Sequence, residues 1–201
     1  MEKMKSSPFC ALLSRMKYIT RWGLMRSARP ETLSEHTAET AHIAHMLGLL
    51  AARRLGQADI RPETLAVAAL YHDATEILTG DMPTPVKYKN NALKTAYKEM
   101  EKQSAKQLAG LLPADLSPVM EPWLTGELLT PAEHQLLKAA DRLSALIKCL
   151  EEESSGNTEF ASAKEQQMKM LADMHCPAAD LFVQEFLPCY TQTLDKLTTL
   201  C

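Results

Sequence analysis

The sequence has few glycines, few aromatic residues and no long apolar run, and each shortage excludes a class of protein. Glycine contributes seven of the 201 residues, and aromatic residues make up 5% of the chain. No segment alternates apolar and polar side chains as a half-buried strand would. No apolar stretch approaches the roughly 20 residues that a membrane-spanning helix needs. We therefore expect neither a β-rich fold nor a membrane protein.

Cysteine pairs and excess positive charge are also lacking. The five cysteines form no CxxC pair and are odd in number, so a disulfide framework is not expected. The apolar run from Phe9 to Leu13 is too short for a signal-peptide core, because Ser14 and Arg15 interrupt it. These features favour a cytoplasmic location. The net charge of -3 argues against binding of a nucleic-acid polymer, but it permits a small anionic substrate.

Alanine, leucine, methionine, lysine and glutamate dominate the chain, and this composition favours helices. Two capping boxes mark helix starts, one at Thr32 with Glu35 and one at Thr130 with Glu133. Pro62 suits the first turn of another helix. The predicted helices cover roughly residues 9–19, 32–56, a segment from 62, 91–111, 131–156, 157–174 and 178–200, and Pro188 is expected to interrupt the last of these. We predict irregular structure around residues 113–122, where three prolines lie.

We thus predict an all-α fold for residues 1–201, a single-domain helical bundle. Within it, His72 and Asp73 follow a strongly apolar helical segment. Adjacent helical residues point about 100° apart, so both side chains could bind one ion. Imidazole and carboxylate together suit zinc, manganese, iron or cobalt better than calcium. A lone His–Asp pair is, however, more often a helix-end histidine beside a solvated aspartate.

Two further residues strengthen the metal hypothesis. His36 lies on the inward stripe of the second helix, although a single inward histidine is more often a hydrogen-bonded core residue. Asp141 lies mid-helix among apolar residues, and a buried carboxylate needs a metal or a cation as partner. The alternative for Asp141 is a surface salt bridge to Arg142 or Lys138.

In this order, His36, His72–Asp73 and Asp141 resemble the ligand pattern of the HD-domain superfamily of metal-dependent phosphohydrolases. Longer motifs resemble the YfbR-type 5′-deoxynucleotidases within it, and YHDATE and GDMPTPVKY are the most specific of them. The matching segments are residues 21–22, 34–36, 71–76, 80–88, 138–141 and 148–152. Small departures from the expected motif are Met82 in place of Leu and Thr75 in place of Ser.

This resemblance implies an HD-type helical bundle in which His36, His72, Asp73 and Asp141 hold one divalent ion, such as cobalt, manganese or zinc. Two imidazoles and two carboxylates leave coordination positions open, as a catalytic metal requires. The implied reaction is hydrolysis of deoxyribonucleoside 5′-monophosphates to deoxynucleoside and phosphate by a metal-activated water. The resemblance also implies a homodimer.

The same resemblance suggests roles around the metal. Arg21 is expected to clamp the phosphate, since a guanidinium matches two phosphate oxygens, and Asp73 or Asp141 could orient the water. Glu76 is a candidate general acid or base, or alternatively a residue that orients a metal ligand. Asp81 is expected to meet the 3′-hydroxyl and Trp22 to pack near the sugar. Met82, Pro83 and Thr84 are further expected substrate-binding residues, although their loop could instead be a helix connector without substrate contact.

Three other interpretations remain open. The chain could be another HD-type enzyme that hydrolyses cyclic nucleotides or nucleoside triphosphates, since Arg26, Arg29 and Lys87 add cations near the motifs. It could be a helical nucleotide-binding module without activity. It could also be a helical protein in which the metal has only a structural role, although such sites usually have four closed ligands rich in cysteine or histidine.

Overall fold

A computed structural model describes residues 6–87 and 89–199, and the regular structure in these residues is helical. The α-helices are α1 (Phe9–Leu13), α2 (Leu33–Arg53), α3 (Pro62–Tyr71), α4 (Glu76–Thr79), α5 (Thr84–Lys87), α6 (Asn91–Ala109), α7 (Ser117–Thr125), α8 (Pro131–Ser154), α9 (Ala161–Asp173), α10 (Pro177–Glu185) and α11 (Leu194–Thr199). Three short 3₁₀ helices cover Ser14–Tyr18, Thr158–Phe160 and Leu187–Thr191. Thr20 and Thr32 form an isolated antiparallel bridge. The predicted all-α class is confirmed, and no helix in the described ranges has the length and apolarity to cross a membrane.

Local sequence signals set the start of the principal helices. Thr32 caps α2 and Thr130 caps α8, and each forms the predicted reciprocal capping box with the glutamate three residues later. Such a cap satisfies two backbone donors that the first turn leaves free. Pro62 occupies the first position of α3, where its missing N–H costs nothing. The starts of the three helices that carry the site were therefore predicted correctly.

Two segments differ from the predictions. The first predicted helix is shorter than expected, because α1 ends at Leu13 and continues as a 3₁₀ turn through Tyr18. The proline-containing segment predicted as irregular instead forms α7, in which Pro118 lies in the first turn and Pro122 in the interior. A first-turn proline loses no helical hydrogen bond, whereas an interior one removes a bond. The apolar packing of Leu124, which is buried in a core cluster, offsets that loss.

The main core joins α2 to α3 and α8. Leu47 of α2, Leu65 of α3 and Leu143 of α8 are fully buried in one apolar cluster. Helix α2 approaches α3 closely at Gly48, where an added Cβ would lie 2.8 Å from Pro62 Cα. A second cluster contains Ala74, which lies in the turn between α3 and α4. These contacts fix α2, α3 and α8 relative to one another.

Candidate metal centre and active site

Three of the four predicted metal ligands converge at the centre of the bundle. His36 lies in the first turn of α2, His72 caps the end of α3, and Asp73 follows it. One candidate ligand atom from each residue lies within 4.8 Å of the others. Asp73 Oδ2 is 3.1 Å from His72 Nε2 and 3.5 Å from His36 Nε2. The helix packing therefore gathers donors that are 36 residues apart in sequence.

Asp141 joins this group from α8 through His36. Its Oδ1 lies 3.2 Å from His36 Nε2. Its side chain is 42% exposed, whereas the side chains of His36 and Asp73 are 0% and 21% exposed. The centre is therefore closed on the His36 side and more accessible to solvent at Asp141.

The orientation of the two imidazoles fits a metal ion. His72 Nδ1 donates to the carbonyl oxygen of Ala69 at 2.7 Å, and His36 Nδ1 lies 3.0 Å from Ser144 Oγ. Both Nε2 atoms are buried, and within the described part of the chain neither makes a hydrogen bond of acceptable geometry. A buried polar nitrogen without a hydrogen bond is costly, and a divalent cation among these donors would remove that cost.

The charges of this group are strongly coupled. Burial alone would raise the pKa of Asp73, but the nearby His72, His36 and Arg21 outweigh it and hold that pKa well below its usual range. Burial likewise lowers the pKa of His72, yet the Asp73 carboxylate reverses this effect and raises it to about 9. Asp73 is thus held as an anion, the form that binds a cation.

Arg21 contacts the same carboxylate from the irregular segment before α2. Its guanidinium Nη1 lies 3.6 Å from Asp73 Oδ2, and its side chain is mostly buried. Its Nε donates to Glu31 Oε2 at 3.0 Å. The acidic neighbours outweigh burial and raise the pKa of Arg21. The structure therefore places a permanent cation beside the centre, as a phosphate clamp requires.

Trp22 is held next to Arg21 by the same carboxylate oxygen. Its indole Nε1 donates to Glu31 Oε2 at 3.0 Å, and its ring packs on Phe160 with centroids 5.2 Å apart. Its backbone has a φ of 59°, a left-handed conformation that is strained for a bulky residue. The strained backbone and the two side-chain contacts indicate that the indole ring is held in one orientation.

Glu76 lies near the centre, but α3 does not continue to it. The helix ends at Tyr71, and Glu76 begins α4 after a turn in which its N–H donates to the Asp73 carbonyl. The carboxyl group is buried, with Oε2 lacking a hydrogen-bond partner among the described residues. Burial, reinforced by Asp73 and Asp81, raises the pKa of Glu76 to about 9. Glu76 is therefore protonated at neutral pH in the metal-free protein.

The loop after α4 contains the remaining predicted residues. It begins at Gly80, whose φ of 74° ends α4. Asp81 is half-buried; burial raises its pKa, while Arg21 opposes this effect. Met82 and Pro83 are half-buried in the same loop. The backbone of Thr84 begins α5, but its side chain lies outside what the structure describes, as does all of Tyr88 at the end of the loop motif.

Sequence reasoning missed Glu31 and the buried pair that holds the segment before it. Lys148 of α8 donates to the carbonyl of Arg29, which lies in the segment before α2, and to Glu152, which is also in α8. Glu152 in turn accepts from the backbone N–H of Ala28 at 2.7 Å. The sequence showed the motif at residues 148–152 but gave no reason for it. The hydrogen bonds to Arg29 and Ala28 join residues more than 100 positions apart in sequence, so only the fold reveals that they anchor the Arg21 and Trp22 segment.

Comparison with protein families and curated proteins gives a consistent result. The family model described as 5′-deoxynucleotidase YfbR-like matches residues 8–190. The chain is 44% identical to a 5′-deoxynucleotidase of Cronobacter sakazakii over 97% of this chain and 98% of that protein. It is 40% identical to a 5′-deoxynucleotidase of Vibrio cholerae over 97% of this chain and all of that protein.

Solved structures show the same fold. An HD-domain phosphohydrolase from Listeria innocua matches with a TM-score of 0.77 and 24% identity, covering 95% of each chain. The HD phosphohydrolase of cyanophage S-2L, bound to dA and one catalytic Zn²⁺ ion, matches with a TM-score of 0.68 and 21% identity, covering 91% of this chain and 96% of that one. At these identities the likeness supports the helical HD fold.

Proposed function

We infer that this chain, which belongs to the family of YfbR-like 5′-deoxynucleotidases, hydrolyses deoxyribonucleoside 5′-monophosphates to a deoxynucleoside and inorganic phosphate. The observation that carries this function is the convergence beside Arg21 of the Asp73 carboxylate and two buried imidazole Nε2 atoms, which make no hydrogen bond among the described residues. This arrangement combines a cation site with a phosphate-binding group. Such a combination suits hydrolysis of a phosphate ester.

We propose that His36, His72, Asp73 and Asp141 hold one divalent transition-metal ion. The nitrogen and oxygen donors suit zinc, manganese, cobalt or iron, and their chemistry does not select among these. When bound, such an ion polarises a phosphoryl oxygen and lowers the pKa of a coordinated water. The ionised Asp73 and Asp141 also accept hydrogen bonds, so either carboxylate can orient the attacking water.

Arg21 and Glu76 divide the remaining chemistry at the phosphate. Arg21 binds the phosphate oxygens with its guanidinium, which Glu31 holds in place through Nε. This leaves the other guanidinium nitrogens, including Nη1 near Asp73, for the substrate. The protonated Glu76 carboxyl can donate its proton to the leaving 5′-oxygen, which would otherwise depart as an alkoxide.

The sugar is proposed to lie between Trp22 and the loop after α4. The fixed indole ring would leave little room beside the 2′-carbon, and Asp81 would accept a hydrogen bond from the 3′-hydroxyl. Met82, Pro83 and Thr84 would complete this side. Rejecting an added hydroxyl by shape alone gives only about 10²-fold discrimination, so we expect a preference for deoxyribose rather than complete exclusion of ribose.

The test is phosphate release from dAMP and from AMP after chelation and re-addition of manganese, cobalt, zinc or magnesium. We expect metal-restored release that favours dAMP and disappears in Asp73→Ala. Asp115→Ala, which removes an exposed carboxylate, is the matched control and should retain activity. Failure of every metal to restore release from either nucleotide would refute the proposal. In the same assay, phosphate release from nucleoside triphosphates but not from dAMP or AMP would favour another HD-type hydrolase instead.

Assembly and location complete the proposal. We propose a homodimer in the cytoplasm, consistent with the four described cysteines being free thiols. Helix α3 packs against α7, and both expose apolar side chains, including Val67, Leu70 and Val119. If these side chains form one patch on the surface, that patch would suit an association surface. Sedimentation of the wild type and of Leu70→Asp tests this: the wild type should be a dimer, and the variant should shift towards monomer.

A further inference from the structure

We propose that Ser144 and Glu39 form a buried hydrogen-bonded relay that positions His36 for metal binding. The relay runs from His36 Nδ1 through Ser144 Oγ to Glu39 Oε2, on the side of the imidazole opposite the centre. This inference rests on the proposed function in one respect, namely that His36 is a metal ligand. It assigns positioning roles to two residues that lie outside the ligand set.

The geometry of the relay is that of two consecutive hydrogen bonds. Ser144 Oγ lies 3.0 Å from His36 Nδ1 and donates to Glu39 Oε2 at 2.6 Å. His36 and Ser144 are fully buried, and Glu39 is half-buried. His36 and Glu39 belong to α2, whereas Ser144 belongs to α8. The relay therefore links the two helices that carry His36 and Asp141.

The direction of the relay follows from counting protons. A serine hydroxyl has one hydrogen to donate, and here it points to the Glu39 carboxylate. Ser144 Oγ must then accept from His36, so the neutral imidazole carries its proton on Nδ1. Its Nε2 lone pair is consequently free and faces Asp73 and Asp141. This is the tautomer that a metal ligand requires.

Thr40 provides the local alternative to this arrangement. Its hydroxyl lies 3.5 Å from His36 Nδ1, which is at the limit of a hydrogen bond. The Ser144 hydroxyl lies closer to the same nitrogen, at 3.0 Å, and it is also polarised by the Glu39 carboxylate. We therefore assign the positioning role to Ser144, with Thr40 available as a weaker substitute when Ser144 is removed.

The experiment is a double-mutant cycle on metal affinity, measured with Mn²⁺ by titration calorimetry on the full-length protein. It is run at pH 8, because burial raises the pKa of Glu39 to about 7 and the carboxylate should be ionised. Groups that orient a ligating histidine typically contribute about 10–100-fold to metal affinity. We expect losses of that size when Ser144→Ala is made in a Thr40→Val background, where the Thr40 hydroxyl cannot replace that of Ser144. Glu39→Ala should cause a smaller loss.

The coupling between the variants separates a relay from a structural effect. Because Glu39 acts on His36 only through the Ser144 hydroxyl, adding Glu39→Ala to Ser144→Ala should cause no further loss of Mn²⁺ affinity. Additive losses would overturn the relay. Ser104→Ala, which removes another buried helical hydroxyl, should leave the affinity unchanged.

The outcomes also separate this proposal from the proposed function. If the wild-type protein binds no Mn²⁺, Co²⁺ or Zn²⁺, the metal-dependent function fails. If the wild type binds and the relay variants bind within twofold of it, only the relay fails. Circular dichroism of each metal-free variant checks folding, and should Ser144→Ala not fold, Glu39→Ala at its half-buried position carries the test alone: an unchanged affinity there refutes the relay.

Discussion

At the scale of single residues, Glu76 presents the choice between proton transfer and ligand positioning. Its buried carboxyl remains protonated at neutral pH in the metal-free protein, which suits a general acid. We expect Glu76→Gln to lower kcat for dAMP by about 10²–10⁴-fold, the usual contribution of general acid–base catalysis, with the metal dissociation constant unchanged. Steady-state kinetics at saturating metal, together with metal titration, measure both quantities. A weaker metal affinity with kcat retained would instead make Glu76 a positioning residue.

The raised pKa of Glu76 also predicts a pH dependence of stability. Burial raises its pKa in the folded protein to about 9, above that of the unfolded chain, so unfolding releases a proton between these values. Its contribution to stability is therefore complete below the unfolded pKa and is lost as the pH rises towards 9. Urea unfolding of the metal-free protein from pH 5 to 8.5 should show a steeper decline for the wild type than for Glu76→Gln. An equal loss of stability with pH in the wild type and in Glu76→Gln would contradict the raised pKa of Glu76.

Glu31 joins the proposed phosphate-binding residue, Arg21, to the proposed sugar-binding residue, Trp22. One oxygen accepts from both Arg21 and Trp22, and hydrogen bonds to a charged group contribute about 1.5–3 kcal/mol. We expect Glu31→Gln to lower kcat/KM for dAMP about tenfold or more, since 1.4 kcal/mol is a factor of ten, and to reduce the dAMP-to-AMP preference.

The matched control for that prediction is Glu159→Gln. Glu159 binds Arg26 of the same segment without contacting Arg21 or Trp22 through any hydrogen bond found among the described residues. Glu159→Gln should leave kcat/KM for dAMP and the dAMP-to-AMP preference near their wild-type values. An unchanged preference in Glu31→Gln would show that Trp22 is positioned by Phe160 and its backbone alone.

At the scale of helices, the close contact between α2 and α3 holds together the two helices that carry His36 and His72. Gly48 allows this approach, because a Cβ there would meet Pro62 Cα at 2.8 Å. We expect Gly48→Ala to lower the free energy of unfolding by about 1–3 kcal/mol, the usual cost of overpacking, and to weaken metal binding. Gly23→Ala, where the nearest atom is 4.0 Å away, is the control for urea unfolding. Equal stability of Gly48→Ala and Gly23→Ala would show that α2 and α3 can move apart at this contact without a loss of stability.

The sequence predicted those features of the helices that depend on local interactions. The caps at Thr32 and Thr130 and the start at Pro62 could be predicted because each is decided within one turn. The helical turn at Pro122 could not, because tertiary burial of Leu124 compensates for a locally unfavourable residue.

The residues of the candidate site also fall into two groups, those that sequence motifs could identify and those that only the fold reveals. The ligand set and Arg21 could be proposed because they lie in recognisable motifs, and the structure brings them together. Glu31, Ser144 and Glu39 could not be identified, because their partners are either in an irregular segment or on another helix. Their roles exist only in the packed bundle, where a side chain can meet a group more than 100 residues away.

At the scale of the whole molecule, the metal would join α2, the end of α3 and α8 through one point. The unfolded chain cannot present these distant ligands together, so binding favours the folded state by about 2.7 kcal/mol at a free metal concentration 100-fold above Kd. For a chain of this length that corresponds to a rise in Tm of roughly 5–10 °C. Calorimetric scans before and after chelation should show this shift for the wild type, increasing with metal concentration. Asp73→Asn lacks one of the two anionic ligands, so its Tm should rise much less with metal than that of the wild type. A metal-dependent shift of the same size in this variant would place the ion elsewhere in the protein.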